Sequence, residues 1–151
     1  MTPDPEGQAS VFELGSDGPG TILVGVDGSD SSWRALHYAI GLARREASRI
    51  VVVYAIRLPA TSYAAPGVLY AINDLSAQLG GDVEALGRAH GIDITFVTSD
   101  RDPVTALTTA TIAHRADLIV VGASEKTTHR FFGSTATRTI KTRCCPVTVV
   151  P

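Results

Sequence analysis

Asp27 closes an apolar run, Thr21-Ile22-Leu23-Val24-Gly25-Val26, and Gly28-Ser29-Asp30-Ser31 follows it. A carboxylate at the end of a strand accepts hydrogen bonds from donors such as a ribose hydroxyl or an adenine amine. Asp-Gly is equally a plain turn signal. Ser29, Asp30 and Ser31 have the residue types that cap a following helix. Far downstream, Gly133-Ser134-Thr135 stands where a helix should open. A helix N-terminus offers unpaired N–H groups and the positive end of the helix dipole, and so receives phosphate. Glycine allows close approach, and the hydroxyls add donors. The same residues also serve as an ordinary N-cap with no ligand. Lys126, His129 and Arg130 precede them and suit either phosphate contact or a solvated loop face.

Other chemistries lack their signatures. Neither the P-loop pattern nor GxGxxG occurs. Gly122-Ala123-Ser124-Glu125-Lys126 approaches a nucleophile elbow, but Lys126 stands where glycine is needed. His37, His90, His114 and His129 are scattered, with no metal-ligand spacing. Cys144 and Cys145 are adjacent, which fits reduced thiols better than a bridge or a zinc site. No pair of carboxylates suggests acid–base work. The expectation is a binding protein rather than an enzyme, with no catalytic residue and no protein-held metal.

The bulk numbers agree with that reading. The 151 residues suit one domain, and the formal net charge of -2 gives no electrostatic reason to bind nucleic acid or an anionic membrane. No apolar run approaches the ~18 residues of a membrane span. The first ten residues have no basic segment followed by an apolar one. The cytoplasm is the expected compartment.

The elements that must position Asp27 and Ser134 follow from periodicity. Residues 1–20 are rich in Gly, Pro, Asp, Glu and Ser, and are expected to be a disordered tail; residues 21–151 form the domain. Strands are predicted over 21–26, 50–55, 92–98, 117–122 and 146–150. Helices are predicted over 32–47, with Trp33, Leu36, Ile40 and Ala43 on one face, and over 68–86, 103–114 and 134–141. Residues 58–67 read as a loop. Gly80-Gly81 should kink or break the second helix, since each glycine there costs about 0.5–1 kcal/mol relative to alanine. Asp102-Pro103 is an N-cap followed by a first-turn proline. Strands alternating with helices imply a parallel sheet. Ligands then bind beyond the carboxyl ends of its strands, at the switch point.

Four landmarks together resemble the universal stress protein family: Ile22-Leu23-Val24-Gly25-Val26-Asp27-Gly28-Ser29; Asp102-Pro103; Ala116-Asp117-Leu118-Ile119-Val120-Val121-Gly122; and Gly133-Ser134 followed by Cys145-Pro146-Val147-Thr148-Val149-Val150. The resemblance spans residues 21–150. It implies a single-domain α/β fold with a parallel five-stranded sheet in the order 3-2-1-4-5. It also implies a stress-response role, a homodimer paired through Val147–Val150, and an adenine nucleotide (ATP with magnesium, or AMP) held where strands one and four part. The site residues it implies are Val26, Asp27, Ala55, Val121, Gly122, Gly133, Ser134 and Thr135.

ATP-binding members carry Gly-x2-Gly-x9-Gly-Ser/Thr. Gly122 and Gly133-Ser134 match its ends, but Glu125 replaces the second glycine and residues 126–132 form a spacer two residues short. A glutamate about 5 Å from a phosphate charge costs about 3 kcal/mol at an effective dielectric near 20. That is about two decades of affinity. Lys126, Arg130 or magnesium would offset it. The alternative is a family member that binds no nucleotide and acts as a dimer through protein partners. An ATP pyrophosphatase would need Ser-Gly-Gly-x-Asp-Ser after strand one, and Gly28-Ser29-Asp30-Ser31 lacks its paired glycines.

Overall fold

The computed structural model describes residues 18–56, 65–123 and 134–151. The strands are β1 (Thr21–Val26), β2 (Arg49–Ala55), β3 (Ile94–Ser99), β4 (Leu118–Gly122) and β5 (Val147–Val150). The helices are α1 (Asp30–Glu46), α2 (Pro66–His90), α3 (Pro103–His114) and α4 (Ser134–Thr142). All strand pairs are parallel, in the order β3-β2-β1-β4-β5, as the family pattern implies.

The central strands are unbroken apolar runs because both sheet faces are covered. On one face Ile22, Val24, Ile50, Val52 and Val120 pack against α1 and α2 through Leu36, Ala39, Ile40 and Val83. On the other, Leu23, Val51, Val53, Ile119 and Val121 meet Ala106, Leu107 and Ala110 of α3 and Ala136 of α4. Each fully buried aliphatic side chain contributes about 1.5–3 kcal/mol. These two layers therefore fix which strand ends lie side by side.

Three local expectations change. The second helix is not broken at Gly80-Gly81: α2 runs without interruption from Pro66 to His90. The reason is packing, since a Cβ on Gly80 would lie 3.0 Å from the Phe96 ring of β3. Glycine lets the helix lie on the sheet there. Pro66 and Gly67, read as loop, belong to the first turn of α2. Asp117, read as strand, instead uses its carboxylate to accept the Gly20 and Thr21 N–H groups at 3.0 and 2.9 Å, tying β4 to the start of β1. Trp33 keeps the expected place on the packed face of α1, partly buried against the core that holds Leu36, Ile40 and Ala43, with the small Ala35 and Ala39 beside them.

Candidate functional site

β1 and β4 are neighbours, with Gly25 beside Val121. β1 continues, through Asp27, into the crossover to α1, and β4 ends at Gly122, beyond which the chain returns through α4. The carboxyl ends of these strands form the switch point of the sheet. Val26, Asp27, Val121 and Gly122 meet there, and Ala55 sits one residue beyond the Val26–Tyr54 pair. Val26 and Val121 are buried, whereas Asp27 is exposed.

Asp27 is held by an array of hydroxyls. Its Oδ1 accepts the Ser29 N–H at 2.9 Å and the Ser29 hydroxyl at 2.5 Å. Gly28 makes this turn possible with φ of 83°, a region that disfavours residues with a Cβ. Ser29 is also the N-cap of α1, its Oγ accepting the Ser32 N–H at 3.3 Å. The single hydroxyl hydrogen of Ser29 goes to Asp27, so in the 3.1 Å Ser29–Ser31 contact Ser31 must donate. Ser32 closes the turn: its Oγ accepts the Asp27 N–H at 3.4 Å and donates to the Ser29 carbonyl at 2.8 Å. Partial burial pulls the Asp27 carboxyl upward, but the hydrogen bonds from Ser29 and Ser32 outweigh it and hold it below the usual carboxylate range. At neutral pH it is an oriented, acceptor-only group. Oδ1 is committed to Ser29.

The capping role read from sequence for these residues falls on Ser29, while Asp30 begins the helix and Ser31 is buried. The fixing of Asp27 by Ser29 was not foreseen, although Asp-x-Ser has the spacing of an Asx turn.

Gly122 has a strictly local reason to be glycine. A Cβ there would lie 2.5 Å from the backbone C and O of Ser31 and 2.8 Å from Ser32 N. The end of β4 therefore rests directly on the first turn of α1. Gly122 brings Asp27 and the β4 end together whether or not a phosphate approaches.

Ser134 opens α4, as expected, and Thr135 is partly buried in its first turn. The crossover from β4 puts this N-terminus on the carboxyl side of the sheet. Arg138 of α4 meets the Asp102 carboxylate at 3.2 Å, and Asp102 caps α3 by accepting Val104 N–H at 3.2 Å and Thr105 N–H at 3.5 Å. The middle of α4 is thus linked to the start of α3. Gly133, Glu125 and the basic residues Lys126, His129 and Arg130 lie outside the described residues, as does the side chain of Ser134.

Cys144 and Cys145 are free thiols. Burial, reinforced by its Cys144 neighbour, pushes the Cys145 thiol up to about 12. Among the described residues no group of three or more His, Cys, Asp or Glu could hold a metal. No helix of the described residues is long and apolar enough to cross a membrane.

Comparison with known proteins accords with this geometry. A universal stress protein of Methanocaldococcus jannaschii is 29% identical over 136 residues, covering 85% of this chain and 80% of its own. The crystal structure of a universal stress protein family member from Burkholderia pseudomallei superposes with a TM-score of 0.71 at 29% identity, covering 87% of this chain and 96% of its own. A universal stress protein solved in complex with cAMP matches with a TM-score of 0.71 at 25% identity, over 88% of this chain and 97% of its own. The family model for universal stress proteins matches residues 19–151, and with the β3-β2-β1-β4-β5 sheet and the Asp27 turn at its switch point, this chain belongs to the universal stress protein family.

Proposed function

We propose that this protein binds an adenine nucleotide at the β1/β4 switch point and acts as a binding, regulatory member of its family rather than by turnover. The observation that carries the reading is the Asp27 array. An exposed carboxylate at the strand end, kept ionised and oriented by Ser29, is available to a ligand's donors. It would accept from a ribose hydroxyl or the adenine amine. Val26, Ala55 and Val121 would supply the apolar wall beside it. Gly122 and the α4 start at Gly133, Ser134 and Thr135 would face the phosphates. AMP and ATP share the adenosine end. ATP would bring magnesium and would place its outer phosphates nearest Glu125. The relative solved with cAMP supports an adenine nucleotide as the ligand class.

A homodimer belongs to the same proposal. Ile119 N–H donates to the Pro146 carbonyl and Ala123 N–H to the Val150 carbonyl, so the even-numbered residues of β5 face β4. Val147 and Val149 then direct their backbone N–H and C=O groups outward, and an unpaired apolar edge invites a second chain. Glu125 and the short 126–132 spacer favour a second reading, in which the dimer acts through protein partners without nucleotide.

Thermal denaturation of nucleotide-stripped protein separates the two. Ligand at a hundredfold excess over Kd stabilises by about 2.7 kcal/mol. For a chain of this length that raises Tm by roughly 5–11 °C. A rise of this size with AMP or Mg-ATP, and none with inorganic phosphate, is expected. An unchanged Tm with every adenine nucleotide at millimolar concentration selects the partner-binding dimer.

A further inference from the structure

β3 forms the edge of the sheet opposite β5, and among the described residues it pairs only with β2. The phase of that pairing decides which backbone groups are left over. Ile50 N–H donates to the Asp93 carbonyl at 2.9 Å, and Ile56 N–H to the Ser99 carbonyl at 2.7 Å. The odd-numbered residues of β3 therefore bond to β2, and Ile94, Phe96 and Thr98 direct their backbone N–H and C=O groups outward. Edge strands are commonly blunted by lysine, proline or a bulge. Ile94–Ser99 holds no charge and no proline, and its register with β2 is unbroken. One of its faces is also open: α3 lies over β1 and β2, and Thr95 is exposed while Val97 and Ser99 are half-buried.

The flanks of the strand point to its partner. Asp93 precedes it and Arg101 follows it, and both are exposed. Alternation puts them on the open face with Thr95, Val97 and Ser99, and puts Asp100 on the other. A strand with opposite charges at its two ends complements itself when paired antiparallel. With Val97 on the two-fold axis, Phe96 of each copy faces Thr98 of the other and they exchange backbone hydrogen bonds. Thr95 then faces Ser99, and Asp93 of each copy reaches Arg101 of the other, an opposite-charge cross-strand pair. α2 leaves room for this approach. Around the helix, Leu79 and Val83 join the core shared with α1, Gly80 lies on Phe96 and Gly87 on Ile94, and the exposed Ala77 and Gly81 come next, toward the open edge. A Cβ on Gly81 would meet nothing within 4 Å. Two α2 helices brought side by side across this edge therefore meet at small residues.

We propose that β3 is a homotypic docking edge, pairing antiparallel with β3 of a second copy about Val97 and closed at both ends by Asp93–Arg101 ion pairs. Thr95, Thr98 and Ser99 bury little apolar area there, so the contact is weaker than one through the valines of β5, and exposed ion pairs make it weaken further as salt rises. It forms between molecules at high concentration. It needs neither a nucleotide nor pairing through β5.

Disulfide trapping tests it on the full chain carrying Cys144→Ser and Cys145→Ser. Facing residues of a non-hydrogen-bonded antiparallel pair have Cα atoms about 4.5 Å apart, within disulfide reach. Val97→Cys should therefore give a disulfide-linked dimer under mild oxidation with oxidised glutathione. Thr95→Cys is the control: it is the more exposed position, but because it faces Ser99 the two copies of it stand about 13 Å apart, and it should link more slowly. Thr95→Cys combined with Ser99→Cys should link again, which repeats the test without touching Val97. In the Val97→Cys protein, Asp93→Lys or Arg101→Glu alone should lower the linked fraction, and the two together should restore it. Thr95→Cys linking as fast as Val97→Cys, no linked dimer from any of these variants, or charge reversals that fail to rescue each other would overturn the proposal.

Discussion

Replacing Gly122 by alanine tests how the site is assembled. The added Cβ would sit 2.5 Å from the Ser31 C and O atoms. Carbon atoms pack at about 3.5–4.0 Å, so the overlap is about 1 Å or more. The atoms in the way are backbone on both sides, a central strand and the first turn of α1, and neither can rotate aside. Overpacking costs typically about 1–3 kcal/mol. Backbone against backbone places this case at the upper end, about 3 kcal/mol. A domain of this length loses roughly 2–4 °C of Tm per kcal/mol, so Gly122→Ala should melt roughly 6–12 °C lower without any ligand. Gly25→Ala is the control. Its Cβ would meet the side-chain atoms Leu107 Cδ2 at 3.2 Å and Val121 Cγ1 at 3.3 Å, which can shift by a few tenths of an ångström. A loss of about 1 kcal/mol, or roughly 2–4 °C, is expected there. Circular dichroism melts of nucleotide-free protein give both values. If Gly122→Ala melts with wild type, or Gly25→Ala is the worse of the two, the account of Gly122 as the seat of α1 is wrong.

Other expectations follow from particular groups. Because Asp27 is held below its ordinary value, its contribution to stability is present above the unfolded carboxylate pKa of about 3.9 and is lost as pH falls through the folded value. The Tm difference between wild type and Asp27→Asn should therefore stay level from neutral pH down to about pH 5 and shrink in more acid solution; a difference that grows on acidification contradicts the sign. Asp102, lowered first by its hydrogen bond from the Thr105 hydroxyl, should behave alike in Asp102→Asn. In a Cys144→Ser background, Cys145 should resist iodoacetamide at pH 8 while folded and react once denatured, since burial, the largest cause of its raised thiol, remains when Cys144 is replaced; fast labelling of the native protein would refute this. Val149→Pro removes an outward N–H of β5 without a bond to β4, so sedimentation should show a folded monomer where wild type is dimeric. A dimer that survives the change is paired elsewhere.

The sheet was legible in the sequence because strands covered on both faces must be continuous apolar runs, and Ile50 to Tyr54 or Leu118 to Val121 have few other uses. The cap at Asp102 and the start of α4 at Ser134 were legible as well, from local chemistry that needs no tertiary knowledge. What escaped depends on contacts between distant residues. Gly80 looks like a helix breaker until the Phe96 ring is placed beside it. Asp117 looks like the start of a strand until its carboxylate is seen accepting from Gly20 and Thr21. Gly122 reads as part of a phosphate loop, and only the approach of Ser31 gives it a second reason. For the candidate site, the position of Asp27 was readable, but the Ser31–Ser29–Asp27 chain of hydrogen bonds that orients it was not. The phosphate half, around Glu125 and Gly133, rests on the family motif and lies outside the described residues.

Calorimetric titration of nucleotide-stripped protein with AMP and with Mg-ATP, repeated on Asp27→Ala, reaches the central claim most directly. Saturable binding of an adenine nucleotide that weakens at least about tenfold in Asp27→Ala, about 1.4 kcal/mol, is the predicted result. AMP binding without ATP binding would place the repulsion at Glu125 and keep the adenosine pocket. Heat from neither nucleotide with a folded protein, or binding that Asp27→Ala leaves untouched, would contradict the assignment of the β1/β4 switch point as the nucleotide site.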